Sequence, residues 1–159
     1  MSHPYSDLPP EAYWRTGVAS PPEGALNKVW QPKYAIKKSH QIASFGSCFA
    51  QHISRELTAN GYNWLNAEQA PKYNRSNYAR EYGYDVFSAR TGNIYTTAQL
   101  RQWVEWAAGD ATPPDEIWQS DGRFHDPFRP NIEPDGFASA HEVLQSRELT
   151  IERFGQAIT

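Results

Sequence analysis

The sequence predicts an α/β domain with little sheet and a large share of loop. Three observations carry this. Gln41–Phe45, Gly46 and the residues after Cys48 read as a short strand, a sharp turn and a helix. Thr96 and Ser139 each open a helical pattern with capping-box spacing. Asp121-Gly122 separates two short segments as a two-residue hairpin turn does.

In chain order, residues 1–32 read as an extended arm. Pro4, Pro9, Pro10, Pro21, Pro22 and Pro32 break any helix or central strand there. Trp14 and Trp30 are expected to pin the arm onto the domain, which runs over 33–159. Ile42, Ala43 and Phe45 suit a buried strand, and Gly46 reaches backbone angles closed to other residues. Phe49, Ile53 and Leu57 recur at helical spacing, and Gly61 supplies the stop.

The stretch from Tyr62 to Tyr84 is rich in Tyr and Asn and reads as irregular structure, with a helical turn near 76–81. Its polar aromatics and amides either tie down a long loop or line a carbohydrate pocket. The helix after Thr96 is expected to bury Leu100, Trp103, Val104 and Ala107 and to end near Gly109. Residues 117–120 and 123–125 form the hairpin. The last helix carries Val143, Leu144, Arg147, Ile151 and Phe154 on one side.

A length of 159 residues suits one ordinary domain. Hydrophobic residues make up 39% of the chain and mean hydropathy is −0.75, so the core is modest. Six Trp and nine Tyr must supply much of the burial. A net charge of −3 gives no reason to expect a nucleic-acid or anionic-membrane partner. One Cys cannot form an internal disulfide and fits a reducing, cytoplasmic setting. The N-terminus lacks the basic start and apolar middle of a signal peptide, and no apolar run suits a membrane span. No His/Cys/carboxylate cluster has metal-ligand spacing and no phosphate-cradling loop is present, so neither metal nor cofactor is expected.

Three ordered blocks carry a resemblance: Gly46-Ser47-Cys48-Phe49-Ala50; then Phe87 through Thr96; then Asp126-Pro127-Phe128-Arg129-Pro130 with Ile132 through Ala138. Together they resemble the GSCFA domain family, over about residues 25–155. That family is similar to the SGNH (GDSL-like) hydrolases. The resemblance implies a flavodoxin-like three-layer fold and ester chemistry at the strand-helix turn. Only one core strand and a hairpin are found here, whereas a parallel sheet needs parallel neighbours and two covered faces. The chain is therefore expected to be the N-terminal portion of a longer, truncated GSCFA domain with an incomplete parallel sheet. Apolar surface is expected to be exposed beside Ile42 and Phe45.

In the Gly-Asp-Ser-Leu motif the nucleophilic Ser lies two positions after the Gly. Laying Gly46 on that Gly puts Cys48 at the nucleophile position and Ser47 at the Asp position. A Cys at a helix N-terminus gains thiolate character from the local positive potential. Its bland alternative is a small buried core residue. Ser47 is the second nucleophile candidate, or else a turn or cap residue. Backbone N–H groups at the Gly46 turn would hold the oxyanion.

Gly92-Asn93 is similar to the SGNH oxyanion Asn block but lacks its following Asp, so Asn93 is either an oxyanion donor or a turn residue. Arg129 is a candidate for a substrate anion, or a salt-bridge partner of Asp126 or Glu133. His52, His125 and His141 are the candidate bases, yet the Asp-x-x-His segment implied by the SGNH pattern is not in this sequence. The reading is an acyl-ester hydrolase or acyltransferase acting on an O-acylated carbohydrate or similar small-molecule ester. The alternatives are a non-catalytic carbohydrate-binding module and an inactive truncated remnant.

Overall fold

The computed structural model describes residues 3–22, 25, 32–71 and 79–159. The chain divides into two compact units, Met1–Ile36 and Lys37–Thr159. In the first, Pro10 opens a 3-10 turn over Pro10–Ala12, where its missing N–H costs nothing. A π-helical turn follows over Arg15–Ala19, closed by the Ser20 N–H donating to the Arg15 carbonyl at 2.8 Å. Gly17 is buried against Glu11, whose carbonyl oxygen would lie 2.7 Å from an added Cβ. Trp14 is 75% exposed. Trp30 and residues 76–78 of the expected turn at 76–81 lie outside the described residues.

The second unit is a mixed helix and sheet structure with three helices and one small sheet among its described residues. Helix α1 spans Ala50–Ala59, α2 Thr97–Ala108 and α3 Ala140–Ile158. Strands β1 (Trp118–Ser120) and β2 (Arg123–His125) form the antiparallel hairpin, Trp118 facing His125 and Ser120 facing Arg123. Asp121 and Gly122 both have positive φ, 51° and 74°, as a type I′ turn demands. A single bridge from Phe124 to Phe137 extends the hairpin by one more segment.

Both capping signals operate. The Thr96 hydroxyl accepts from the Gln99 N–H while the Gln99 side chain accepts from the Thr96 N–H, and Gly109 closes α2 in the left-handed region. At α3 the Ser139 hydroxyl accepts from the Glu142 N–H, and the Glu142 carboxylate reaches one residue further back, to Ala138.

The main core lies between α2 and α3. Trp103, Trp106 and Phe154 meet there, with Phe45 packed 4.7 Å from the Phe154 ring and Phe128 edge-on to Trp106 at 5.0 Å. Burying a side chain of this size contributes roughly 1.5–3 kcal/mol. The α2 stripe is rotated from the expected one: Trp103 and Trp106 are buried, while Leu100 and Val104 stay about 40% exposed. Large aromatic rings one turn apart fill the space against α3 and lift the smaller residues outward. A second cluster, Ile132, Phe137 and Val143, seals the hairpin end.

Two expectations are corrected. Gln41–Phe45 is not a continuous strand; it makes one parallel bridge, Ile42 to Trp64. Ser88 takes the place of further pairing: its N–H donates to the Ser44 carbonyl (3.1 Å), its hydroxyl accepts from the Ser44 N–H (2.9 Å), and its carbonyl accepts from the Ala67 N–H (2.8 Å). Helix α1 buries Ser54, not the stripe Phe49–Ile53–Leu57. The Ser54 hydroxyl donates to the Val86 carbonyl at 3.0 Å, while Phe49 is 84% and Ile53 51% exposed. Ala43 is exposed as well, and Ile42 and Phe45 are half-buried.

Candidate functional site

The turn at Gly46 is held from both sides. Ile42 donates its N–H to the Asn63 carbonyl and accepts from the Leu65 N–H, both at 3.0 Å, and the Ile94 N–H donates to the Gly46 carbonyl at 2.8 Å. Gly46 has φ +151°, and an added Cβ would lie 2.9 Å from the Ala50 Cβ. Glycine is required there because the chain must reverse directly against the first turn of α1. The helix starts tightly, with Ala50 N–H donating to the Ser47 carbonyl (2.9 Å) and His52 N–H to the Phe49 carbonyl (3.1 Å). Among the described residues, the N–H groups of Ser47, Cys48 and Phe49 donate to no backbone carbonyl outside the helix ladder. They are the free donors expected at a helix start. Cys48 is exposed and Ser47 half-buried, so the thiol is not the buried core residue of its alternative reading.

Asn93 is brought to this turn. Its Oδ1 accepts from Gln51 Nε2 at 3.0 Å, one helical turn from Cys48, and its Nδ2 donates to the Tyr95 hydroxyl at 3.0 Å. Gly92 before it has φ +68°. Gln51, Asn93, Tyr95 and Gln99 line one wall of a cleft of about 400 Å³, and Phe128 and Asn131 line another. This volume lies within the roughly 300–1,000 Å³ of small-molecule sites. Gln51 was not singled out from the sequence; its position three residues after Cys48, in the first turn of α1, is the signal that marks it.

The candidate bases are not assembled with the turn. No hydrogen bond joins Cys48 or Ser47 to a histidine side chain among the described residues. His52 and His141 are exposed, and His125 is half-buried against Gly136, an added Cβ of which would lie 2.8 Å from the imidazole. Among the described residues no group of three His, Cys, Asp or Glu is placed to hold a metal ion.

A model of the GSCFA family matches residues 41–159, more than half of the chain. The chain belongs to the GSCFA family. No curated protein and no solved structure matches it. No helix among the described residues is long and apolar enough to cross a membrane.

The motif blocks of this GSCFA domain divide the work. The first forms the open turn. The second and third meet in a buried ionic network. Asp126, 1% exposed, accepts from Arg129 Nε on one oxygen (2.8 Å) and from Arg147 on the other (2.9 Å). Arg129 also donates to the Thr150 hydroxyl (2.6 Å), the Ser146 hydroxyl (3.2 Å) and the Arg90 carbonyl (3.4 Å). Thr150 in turn donates to Glu68, whose other oxygen accepts the Arg90 N–H. Arg90 pairs with Glu133 at 2.8 Å and lies 4.0 Å over the Tyr84 ring. Burial pulls the Arg129 guanidinium below its ordinary range, and the charge and hydrogen bond of Asp126 push it back up.

The Arg129 side chain is fully enclosed. Of its two readings the structure shows the salt bridge to Asp126, and its other hydrogen bonds go to Thr150, Ser146 and the Arg90 carbonyl.

Proposed function

We propose that this GSCFA domain is an SGNH-like acyl-ester hydrolase or acyltransferase whose nucleophile sits on the Gly46 turn. The observation that carries the reading is the bond from Gln51, three residues after the exposed Cys48, to the cleft residue Asn93, at a turn that also holds free backbone N–H groups. Cys48 Sγ, as thiolate, attacks the acyl carbonyl and forms a thioester while the alcohol leaves with a proton. Water releases the acyl group in a hydrolase; a second hydroxyl takes it in a transferase. Backbone N–H groups of the turn and one N–H of Asn93 Nδ2 stabilise the oxyanion; the other Asn93 Nδ2 proton goes to Tyr95. Ser47 is the alternative nucleophile, attacking through its hydroxyl.

The amide-lined and aromatic cleft suits a saccharide ester, and the flavodoxin-like arrangement is the fold this reading assumes. The proton acceptor comes from another segment or another chain, because no histidine is bonded to the turn among the described residues. That same observation favours the second reading, a carbohydrate-binding module without turnover.

The discriminating experiment is hydrolysis of an acetylated saccharide and of a nitrophenyl acetate by the purified protein, with Cys48→Ala and Ser47→Ala in parallel. Loss of turnover in Cys48→Ala by about 10²-fold or more supports the esterase. Full turnover in both variants would remove the nucleophile from this turn. Binding of the saccharide without turnover in the parent would favour the binding module.

A further inference from the structure

A second cavity, of about 660 Å³, opens beside the C-terminal half of α1. It is lined by Arg55 and Arg80, by Tyr62 and Trp64, and by Asn63 and Asn66. We propose that it is a binding site for a negatively charged saccharide, with the two arginines taking the oxyanion and the two aromatics the sugar ring. The site goes beyond the ester chemistry of the Gly46 turn and does not depend on it.

The argument starts from unmet polar atoms. Arg80 Nη1 donates to the Asp85 carbonyl at 3.0 Å, but Arg80 Nη2 is enclosed and has no partner. Asn66 Nδ2 donates to Asp85 Oδ1 at 2.5 Å, but Asn66 Oδ1 is likewise enclosed and has no partner. Each is a buried polar group with a hydrogen bond still to make. Both residues line the cavity, so a ligand seated there lies beside one unmet donor and one unmet acceptor, and a sugar carrying both an anion and hydroxyls matches the pair.

Charge points the same way. Arg55 is exposed and pairs with no carboxylate among the described residues. It faces Arg80 closely enough for its charge, after burial, to draw the Arg80 guanidinium down, against the upward pull of Asp85. Lys38 Nζ adds a third positive charge 5.7 Å from the Tyr62 ring. Among the described residues Asp85 is the one carboxylate lining the cavity, and it is already engaged. Two arginines repelling each other at a cavity mouth are relieved by one shared oxyanion, which a guanidinium fork grips in bidentate fashion. Trp64 is fixed by its indole N–H, which donates to Ser44 Oγ at 2.9 Å, so its ring is a preorganised platform.

The test is titration of the full-length, isotope-labelled protein, followed through the Trp64 indole N–H and the Asn66 side-chain amide. Four probes separate the contributions: glucuronate, glucose 6-phosphate, glucose and inorganic phosphate. Saturable shifts of these two signals by glucuronate or glucose 6-phosphate, absent with glucose, are expected. The affinity should fall by about tenfold in Arg55→Ala, a surface change that leaves the fold intact, and further in Arg80→Gln. Shifts of equal size with glucose would overturn the role of the arginines. Inorganic phosphate binding as tightly as glucose 6-phosphate would overturn the role of the aromatics. Silence with all four probes would overturn the site. Binding is read without turnover, so an inactive Gly46 turn and an empty α1 cavity are distinguishable results.

Discussion

The Gly46 turn and the Asp126 network both come from the family's signature blocks, and they are built in opposite ways. At the turn, Cys48 is exposed, three backbone N–H groups lack partners outside the helix, and the neighbouring Phe49 is open to solvent. In the network, Asp126, Arg129 and Arg147 are at most 2% exposed, and both Asp126 oxygens accept an arginine N–H. A signature residue is thus not by itself a catalytic one. The open turn keeps unmet donors where a reacting oxygen would gather charge. The closed network spends its donors on fixing where α3, the 126–130 loop and the 88–94 segment sit. Arg129 shows the distinction most plainly: it borders the cleft by position and belongs to the framework by chemistry.

The largest effect that sharpens this comparison is expected from Asp126→Ala. It strands two buried guanidinium groups and should cost about 3–5 kcal/mol, read as a lower urea midpoint. If the variant were as stable as the parent, the network would not be the framework described. Gly46→Ala comes next. It places a side chain in a region of φ that nearly all residues avoid and against the Ala50 Cβ, for a loss of about 1–3 kcal/mol. An unchanged midpoint would show that the turn is looser than its hydrogen bonds imply. Cys48→Ala should be the smallest, under about 0.5 kcal/mol, because the thiol is exposed and bonds to nothing that folding needs. A large loss of stability there would move Cys48 from the open region to the framework and break the comparison.

Local chemistry was legible in the sequence. The Asp121-Gly122 turn, the Thr96 and Ser139 caps and the stops at Gly61 and Gly109 depend on a few adjacent residues, and all five appear in the structure. Which face of a helix is buried was less legible. The periodic Phe49–Ile53–Leu57 stripe of α1 predicted burial, yet the helix seats itself through Ser54, whose hydroxyl satisfies the Val86 carbonyl. Hydrophobic spacing reports a stripe, not what lies opposite it.

The buried network was hidden for another reason. Arg and Asp read as surface residues unless their partners are known, and Asp126 and Arg147 are far apart in sequence. One signal was present. Arg147 lies in the centre of the apolar stripe of α3, between Val143 and Phe154, where a charge is tolerated only with a partner. At the candidate site, Cys48 and Asn93 were legible as motif residues. Gln51, which ties them, was not, because its role depends on the approach of a loop more than forty positions away.

Arg147 also has a consequence for the order in which the molecule loosens. Besides Asp126 it donates to the Glu116 carbonyl at 2.9 Å and to the Pro114 carbonyl, on the loop that leads into β1. A two-stranded hairpin of three residues per strand is marginal alone. Here its entry loop is clamped to α3, and its β2 strand is bridged to Phe137, close to the Ser139 cap. Hairpin and helix therefore form one cooperative unit, and their amide protons should exchange with a common opening free energy. The segment around the Gly46 turn is held by other partners, Asn63, Leu65, Ser88 and Ile94, so its amides should report a separate opening.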